Sequence, residues 1–321
     1  MSTAAIHIEG VNKRFGSTHA VRDLDLEVPQ GSLCGFLGPN GAGKSTTIRM
    51  IMSIIYPDQG KVNVLGSSAI KHKDLIGYLP EERGVYRKMK VGPFLEYLAK
   101  LKGVDGAGLK QKVQDWLDRV DLRDVYKRKC EELSKGMQQK VQFLAAIIHD
   151  PELIILDEPF SGLDPVNAEL LNRLIREQHD VGKTIIFSTH VLHQAEQICD
   201  RIFLINHGVK LLDATVEEIR REFDPRTMIA RPMNGQLPQQ LDGLPGVATT
   251  RSISDAHGEG LELALMEDAD ARAIMRELLD RSAWRTLELK RPTLEDVFVR
   301  LVQQDQGEEA AAQAREELSH G

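Results

Sequence analysis

The stretch GPNGAGKST, residues 38–46, decides the fold. It fits G-x-x-x-x-G-K-[ST] at every fixed position. It also stands where that pattern has physical meaning, after the apolar run GSLCGFLG (31–38) and before a helical pattern that opens near Gly43, extends to Ile55 and is stopped by Tyr56-Pro57. Glycines let backbone N–H groups close around a phosphate, the helix N-terminus adds positive dipole, and Lys44 brings a full charge. Gly38, Pro39, Asn40, Gly41, Ala42, Gly43, Lys44, Ser45 and Thr46 therefore form a candidate nucleotide site, with the Ser45 hydroxyl placed for Mg²⁺. The competing reading, a glycine-rich turn before an ordinary helix, loses ground in a strand–loop–helix context.

Outward from this loop, LIILDEP (153–159) and TIIFSTH (184–190) read as short buried strands, separated by a helix that starts near Asp164-Pro165. IHIEGV (6–11) and LDLEV (24–28) alternate as half-exposed strands do, and KVNVLG (61–66) is a further strand. Alternating strand and helix patterns predict an α/β domain with a mostly parallel sheet flanked by helices. Residues 91–125 are helical in pattern, with a break at GVDGAG (103–108).

Asp157 and Glu158 fall at the carboxyl end of a strand, where open α/β sheets bind ligands. With a phosphate loop nearby, Asp157 suits the metal, while Glu158 is free to orient or deprotonate a water attacking a phosphoanhydride. His190 ends another strand and can donate to a γ-phosphate; alone it would more often be structural.

EELSKGMQQKVQF (131–143) opens a helix with Met137, Val141, Leu144, Ala145 and Ile148 on one face, the spacing of a core-facing stripe. Ser134 is the expected N-cap, yet the capping-box position holds Met137, and Lys135 puts a cation at the positive end of the helix dipole. That arrangement suits an arriving anion.

The chain has 321 residues, 41% hydrophobic and 28% charged, which suits one large folded domain and a smaller one. A net charge of -7 argues against nucleic-acid binding by general attraction. Cys34, Cys130 and Cys199 are too scattered for a disulfide framework or a zinc site, and the cytoplasm is the expected compartment. The N-terminus reads neither as a signal peptide nor as an anchor, and no apolar run reaches the roughly 20 residues that span a bilayer. Beyond residue 222 the Pro-, Gly- and Gln-rich stretch 223–246 reads as a linker or irregular entry. Residues 223–303, after a first domain of 1–222, are read as a small α+β domain entered through that stretch, with strands in GVATTRSIS, GLELALM and WRTLELK and helices in DADARAIMRELLDR and TLEDVFVRLVQ. Residues 304–321 are an acidic tail expected to be mobile or weakly helical.

In order, GPNGAGKST, LSKGMQQ, LIILDEP, SGLD and STH resemble the motifs of the ATP-binding cassette ATPases, the nucleotide-binding subunits of ABC transporters. The likeness covers roughly residues 5–220, with the helical subdomain at about 88–150. It implies a phosphate-loop NTPase fold of the ABC type with an N-terminal antiparallel β region and a helical signature subdomain. It further implies ATP held with Mg²⁺ between two cassettes, a homodimer being expected, and attachment of the chain to the cytoplasmic face of the membrane through a separate integral membrane permease.

On that resemblance Ser134, Lys135 and Gly136 touch the partner's γ-phosphate, and Ser161, Gly162, Leu163 and Asp164 line the contact between cassettes. Phe15 stacks on adenine with Val21 nearby; simple core packing is the alternative for Phe15. Glu81, in YLPEERGVY, stands where the family has Gln on the loop joining the ATP site to the membrane subunit, and is a third candidate ligand of Mg²⁺ beside Ser45 and Asp157. The signature also departs from the usual LSGGQ. YLPEERGVY, LSKGMQQKVQF and RPTLEDVF together resemble a bacterial export branch that includes sodium and drug efflux ATPases. The charged run EERGVYRKMK is read as a docking surface for the permease. Soluble ABC-type ATPases acting on ribosomes or DNA are the alternative; a single cassette without a sustained heptad run disfavours them.

Overall fold

The computed structural model describes residues 4–82, 84–237, 243–255 and 257–310, with Ala312 and Arg315. It divides into two compact units, Met1–Val216 with Phe298–Gly321, and Glu217–Val297. The division falls after Val216, ahead of the boundary expected after residue 222, because helix α7 (Val216–Glu222) groups with the second unit almost entirely.

In the first unit, strands β1 (Ala4–Phe15), β2 (Thr18–Pro29) and β4 (Gln59–Val64) form an antiparallel sheet in the order β2-β1-β4. Alternation does the work here: Ile6, Ile8, Leu24, Leu26 and Val28 are buried while the residues between them face outward. The main sheet runs β5 (Ile76–Leu79), β6 (Leu153–Asp157), β7 (Thr184–Thr189), β3 (Leu33–Leu37), β8 (Arg201–Asn206) and β9 (Val209–Thr215). All its pairs are parallel except β8 with β9. β3, β6 and β7 are buried at every residue, as strands covered on both faces must be. Because β6, β7 and β3 are neighbours, their carboxyl ends bring the phosphate loop, Asp157-Glu158 and His190 to one edge of the sheet.

Helix α1 spans Lys44–Ile51, shorter than expected, because Met52 caps it and Ser53 takes φ 56°, turning the chain ahead of the proline. Helices α2 (Val91–Leu101), α3 (Leu109–Arg119) and α4 (Lys135–Ile147) lie within residues 88–150, and α5 (Pro165–Asp180) and α6 (Leu192–Ile198) follow. The stripe read for α4 is too narrow. Gln139 through Leu144 are all buried, while Met137 and Ala145, assigned to the stripe, are only half-buried. The helix is enclosed nearly all round.

The second unit is a four-stranded antiparallel sheet, β11 (Val247–Asp255), β12 (Gly258–Leu265), β10 (Thr227–Pro232) and β13 (Trp284–Leu289), with helix α8 (Ala271–Arg281). Its core holds Met228, Ala230, Leu261, Leu263, Ile274, Leu278 and Trp284. The stretch read as a linker thus contains β10, an inner strand of this sheet, with Pro232 at its end where a missing N–H is tolerated. Helix α9 (Leu294–Gln306) includes the first residues of the predicted tail; residues 311, 313–314 and 316–321 of that tail lie outside the described residues.

Candidate active site

The phosphate loop needs two of its glycines for steric reasons. Gly38 has φ 155° and a Cβ there would sit 2.1 Å from the Ile205 carbonyl oxygen; at Gly43, φ 106°, it would sit 2.5 Å from that of Ala20. The loop is pressed against β2 and β8, so its N–H groups are aimed by the scaffold. Lys44 is buried, and its Nζ donates to the carbonyls of Gly38 at 2.8 Å and Pro39 at 3.1 Å, with Glu158 Oε1 at 3.7 Å. Burial pulls the Lys44 pKa down, and the charges of Glu158, Asp157 and Glu81 oppose that pull.

Ser45 Oγ lies 3.3 Å from both Glu81 Oε2 and Asp157 Oδ1, so the three expected metal ligands converge. Asp157 is fully buried and also accepts from the Ser188 hydroxyl. Its pKa is raised, first by burial and also by the nearby Glu81 and Glu158 carboxylates. One hydroxyl and two carboxylates are the hard oxygen donors Mg²⁺ prefers, and among the described residues no three His, Cys, Asp or Glu side chains close around a point. The set therefore fits an ion completed by phosphate oxygens and water rather than an all-protein cage.

Glu158 adopts φ 49°, unusual for a residue with a side chain, and its N–H donates to the Ser188 carbonyl at 3.1 Å. His190 Nδ1 lies 3.0 Å from Glu158 Oε1. Phe160 packs edge-on against Phe187 with centroids 5.8 Å apart, anchoring the turn that follows Glu158. A cleft of about 420 Å³ is lined by Asn40, Gly41, Gly43, Lys44, Ser45 and Thr46 together with Ala20, Arg49, Glu81 and Glu158.

The remaining expected residues are placed more variously. Phe15 is 50% exposed, which removes the core-packing alternative, and the Lys13 ammonium lies 5.5 Å from its ring centre. Val21 is fully buried within the hydrophobic core beneath Gly43, so it supports the loop and offers no face to adenine; Ala20 lines the cleft instead. Ser134 caps α4, accepting from Met137 N–H at 3.3 Å. Ser134 and Lys135 are exposed, Gly136 is half-buried, and none of the three lines the cleft. A Cβ on Gly136 would lie 3.5 Å from Leu163, so the signature and the SGLD loop are adjacent. Asp164 caps α5, accepting from Val166 N–H at 3.1 Å and Asn167 N–H at 3.0 Å. Two residues escaped notice. Arg49 stands four after Ser45 on the same helix face, and Ser188 sits in the STH run beside Asp157.

A phosphate loop, an Asp–Glu pair ending the next strand but one and a histidine ending the strand between them define a nucleotide hydrolase of the phosphate-loop class. The family described as ABC transporter matches residues 21–161, and one described as ATP-binding protein DrrA1-3-like, C-terminal domain, matches residues 215–302. The chain is similar to the uncharacterized ABC transporter ATP-binding protein YhaQ of Bacillus subtilis (strain 168), with 38% identity over 92% of this chain and 97% of that protein. It is 34% identical to the Nod factor export ATP-binding protein I of Rhizobium sp. (strain N33), over 94% and 98%. A solved ATP-binding subunit of an ABC transporter superposes with TM-score 0.64 at 29% identity, covering 69% of this chain and 93% of that one. The chain belongs to the ABC transporter ATP-binding protein family and is an ATPase subunit of a transporter. Among the described residues, no helix is long and apolar enough to cross a membrane.

Proposed function

We propose that two copies of this cassette close on two ATP·Mg²⁺ and drive export of a cation, drug or similar small molecule through a separate integral membrane permease, on the cytoplasmic face of the membrane. One observation carries the reading: Lys44, Ser45, Glu81, Asp157, Glu158 and His190 converge, while Ser134, Lys135 and Gly136 stay outside the cleft, available to a nucleotide on another copy. An incoming phosphate competes with the Gly38 and Pro39 carbonyls for the Lys44 ammonium. Lys44 and His190 both approach Glu158 Oε1, leaving Oε2 to accept the proton of the attacking water. With Nδ1 turned to Glu158, His190 has Nε2 left for the γ-phosphate. Mg²⁺, held by Ser45, Asp157 and Glu81, would neutralise charge developing on the phosphates.

For the permease, Tyr86 is 53% exposed and meets Phe94 and Tyr97 edge-on at 5.8 and 6.1 Å, beside the exposed cations Arg87, Lys88 and Lys90. Export as the direction is supported by the similarity to the Nod factor export protein and, at 31% identity, to the daunorubicin/doxorubicin resistance ATP-binding protein DrrA of Streptomyces peucetius. No nucleic acid is expected as a partner. Glu158→Gln should bind ATP, stall hydrolysis and elute as an ATP-trapped dimer on size exclusion; normal turnover would remove the base assignment. An affinity-tagged chain should bring down an integral membrane protein from membranes, and exclusive recovery on ribosomes would overturn the transport role.

A further inference from the structure

Helix α4 buries three polar side chains in a row of positions that could have been apolar. Lys140 is explained by the fold: its ammonium donates to the Val120 carbonyl at 3.0 Å, satisfying the C-cap residue of α3. The two glutamines reach elsewhere. Gln139, 4% exposed, donates through Nε2 to the Pro159 carbonyl at 2.9 Å, one residue beyond Glu158. Gln142, 5% exposed, donates through Nε2 to the Glu82 carbonyl at 3.4 Å, one residue beyond Glu81. They are three residues apart, hence on one helix face, and the loops they hold leave the carboxyl ends of the adjacent strands β6 and β5.

Two observations argue against mere packing. Gln142 Oε1 is buried with no hydrogen-bond partner among the described residues, which is destabilising, so an apolar side chain would serve the fold better than this amide. Glu158 sits in a left-handed conformation that persists only when neighbouring contacts determine it. Ser188 grips the N–H side of Glu158, and Gln139 grips the carbonyl just beyond it.

We infer that Gln139 and Gln142 are positioning residues for ATP hydrolysis: from the helix that begins at the signature, they fix the backbone beside Glu158 and Glu81 respectively. The inference rests on the roles proposed above for those two carboxylates.

The test is steady-state hydrolysis by the full chain carrying Gln139→Met or Gln142→Met, substitutions that keep length and remove the donor. Each should lower kcat about fivefold to tenfold, the rate equivalent of one buried hydrogen bond, with KM for ATP unchanged in Gln139→Met, which touches neither the phosphate loop nor a metal ligand, and raised by at most about fivefold in Gln142→Met, which loosens Glu81. Gln142→Met should also leave the thermal midpoint unchanged or higher, since it removes the unpartnered oxygen, so it carries the test even if Gln139→Met folds poorly. In a Glu158→Gln background, Gln139→Met should slow the residual rate no further. Parental kcat in folded Gln142→Met, or an undiminished effect of folded Gln139→Met on Glu158→Gln, overturns the inference. A normal rate in Glu158→Gln alone is a different failure, which takes down the role of Glu158 itself.

Discussion

Replacing Lys135 with glycine should weaken ATP-driven dimer closure while sparing ATP binding by the monomer. Lys135 is exposed in the first turn of α4, directly after the Ser134 cap, and that turn holds no acidic residue. A cation there opposes the helix dipole by about 0.3–1 kcal/mol, and glycine costs a helix about 0.8–1 kcal/mol, so the two changes nearly cancel in the monomer. Against a phosphate, the lysine supplies a charge-assisted hydrogen bond worth about 1.5–3 kcal/mol. A two-fold dimer has two such contacts, so the loss doubles to about 3–6 kcal/mol, or roughly two to four orders of magnitude in the dimerisation constant. The assay is sedimentation equilibrium with ATP in the non-hydrolysing Glu158→Gln background, with Lys135→Gln as a control that removes charge without adding backbone freedom. Monomer affinity is read from a fluorescent nucleotide at concentrations below dimerisation. A dimerisation constant within about twofold of the parent would refute the reasoning, as would an equal loss in monomer affinity.

Three further outcomes follow from the same geometry. Glu81→Gln should shrink the ratio of ATP affinities measured with Mg²⁺ and with EDTA by about fivefold, since one exposed carboxylate beside Ser45 and Asp157 is worth at most about 1 kcal/mol; an unchanged ratio would clear Glu81 of any part in metal dependence. His149 is buried with Nε2 on the Ile76 carbonyl at 3.2 Å and no partner for Nδ1 among the described residues, and burial followed by the Lys102 charge pushes its pKa from 6.5 down to about 4. A folded pKa below the unfolded one means the neutral ring stabilises the fold above pH 6.5 and that stability fades as pH falls toward 4; linkage gives about 1.4 kcal/mol lost at pH 5.5. His149→Gln, which cannot titrate, should lose that much less stability between pH 7.5 and 5.5 in urea titrations, and parallel pH profiles would contradict the shift. Gly77→Ala would set a methyl 2.1 Å from the Ala146 carbonyl oxygen, and should cost about 1–3 kcal/mol of unfolding free energy; an unchanged urea midpoint would contradict the close seating of β5 on α4.

The central site was legible because each of its groups lies at the end of an apolar strand run, and neighbouring parallel strands must deliver their carboxyl ends to one edge. What escaped reading was set by tertiary context. TMIARP looked like linker because Pro and Gly surround it, yet Met228 and Ala230 alternate inward and the strand pairs on both sides, which no local pattern announces. Val21 was placed near adenine by resemblance, but alternation along β2 turns it into the core. In α4 the apolar stripe was real at Val141, Leu144 and Ile148, while Gln139, Lys140 and Gln142 are buried only because neighbouring backbone carbonyls receive them. Periodicity assigns polar residues to water and has no means of foreseeing such partners.

Those buried amides change what the start of α4 means. A helix enclosed along most of its length by close-packed neighbours moves as a unit, since dense interiors transmit displacement rather than absorb it. Its exposed end carries Ser134 and Lys135, its interior holds Pro159 and Glu82, and those carbonyls adjoin the two carboxylates of the copy's own cleft. An anion at the exposed end can alter hydrolysis only if it binds one setting of the helix better than another, because equal affinity shifts nothing. Lys135 lengthens the reach of that end and strengthens its pull on an anion, so one of the residues that depart from the family pattern is also the one best placed to make the two settings differ in energy.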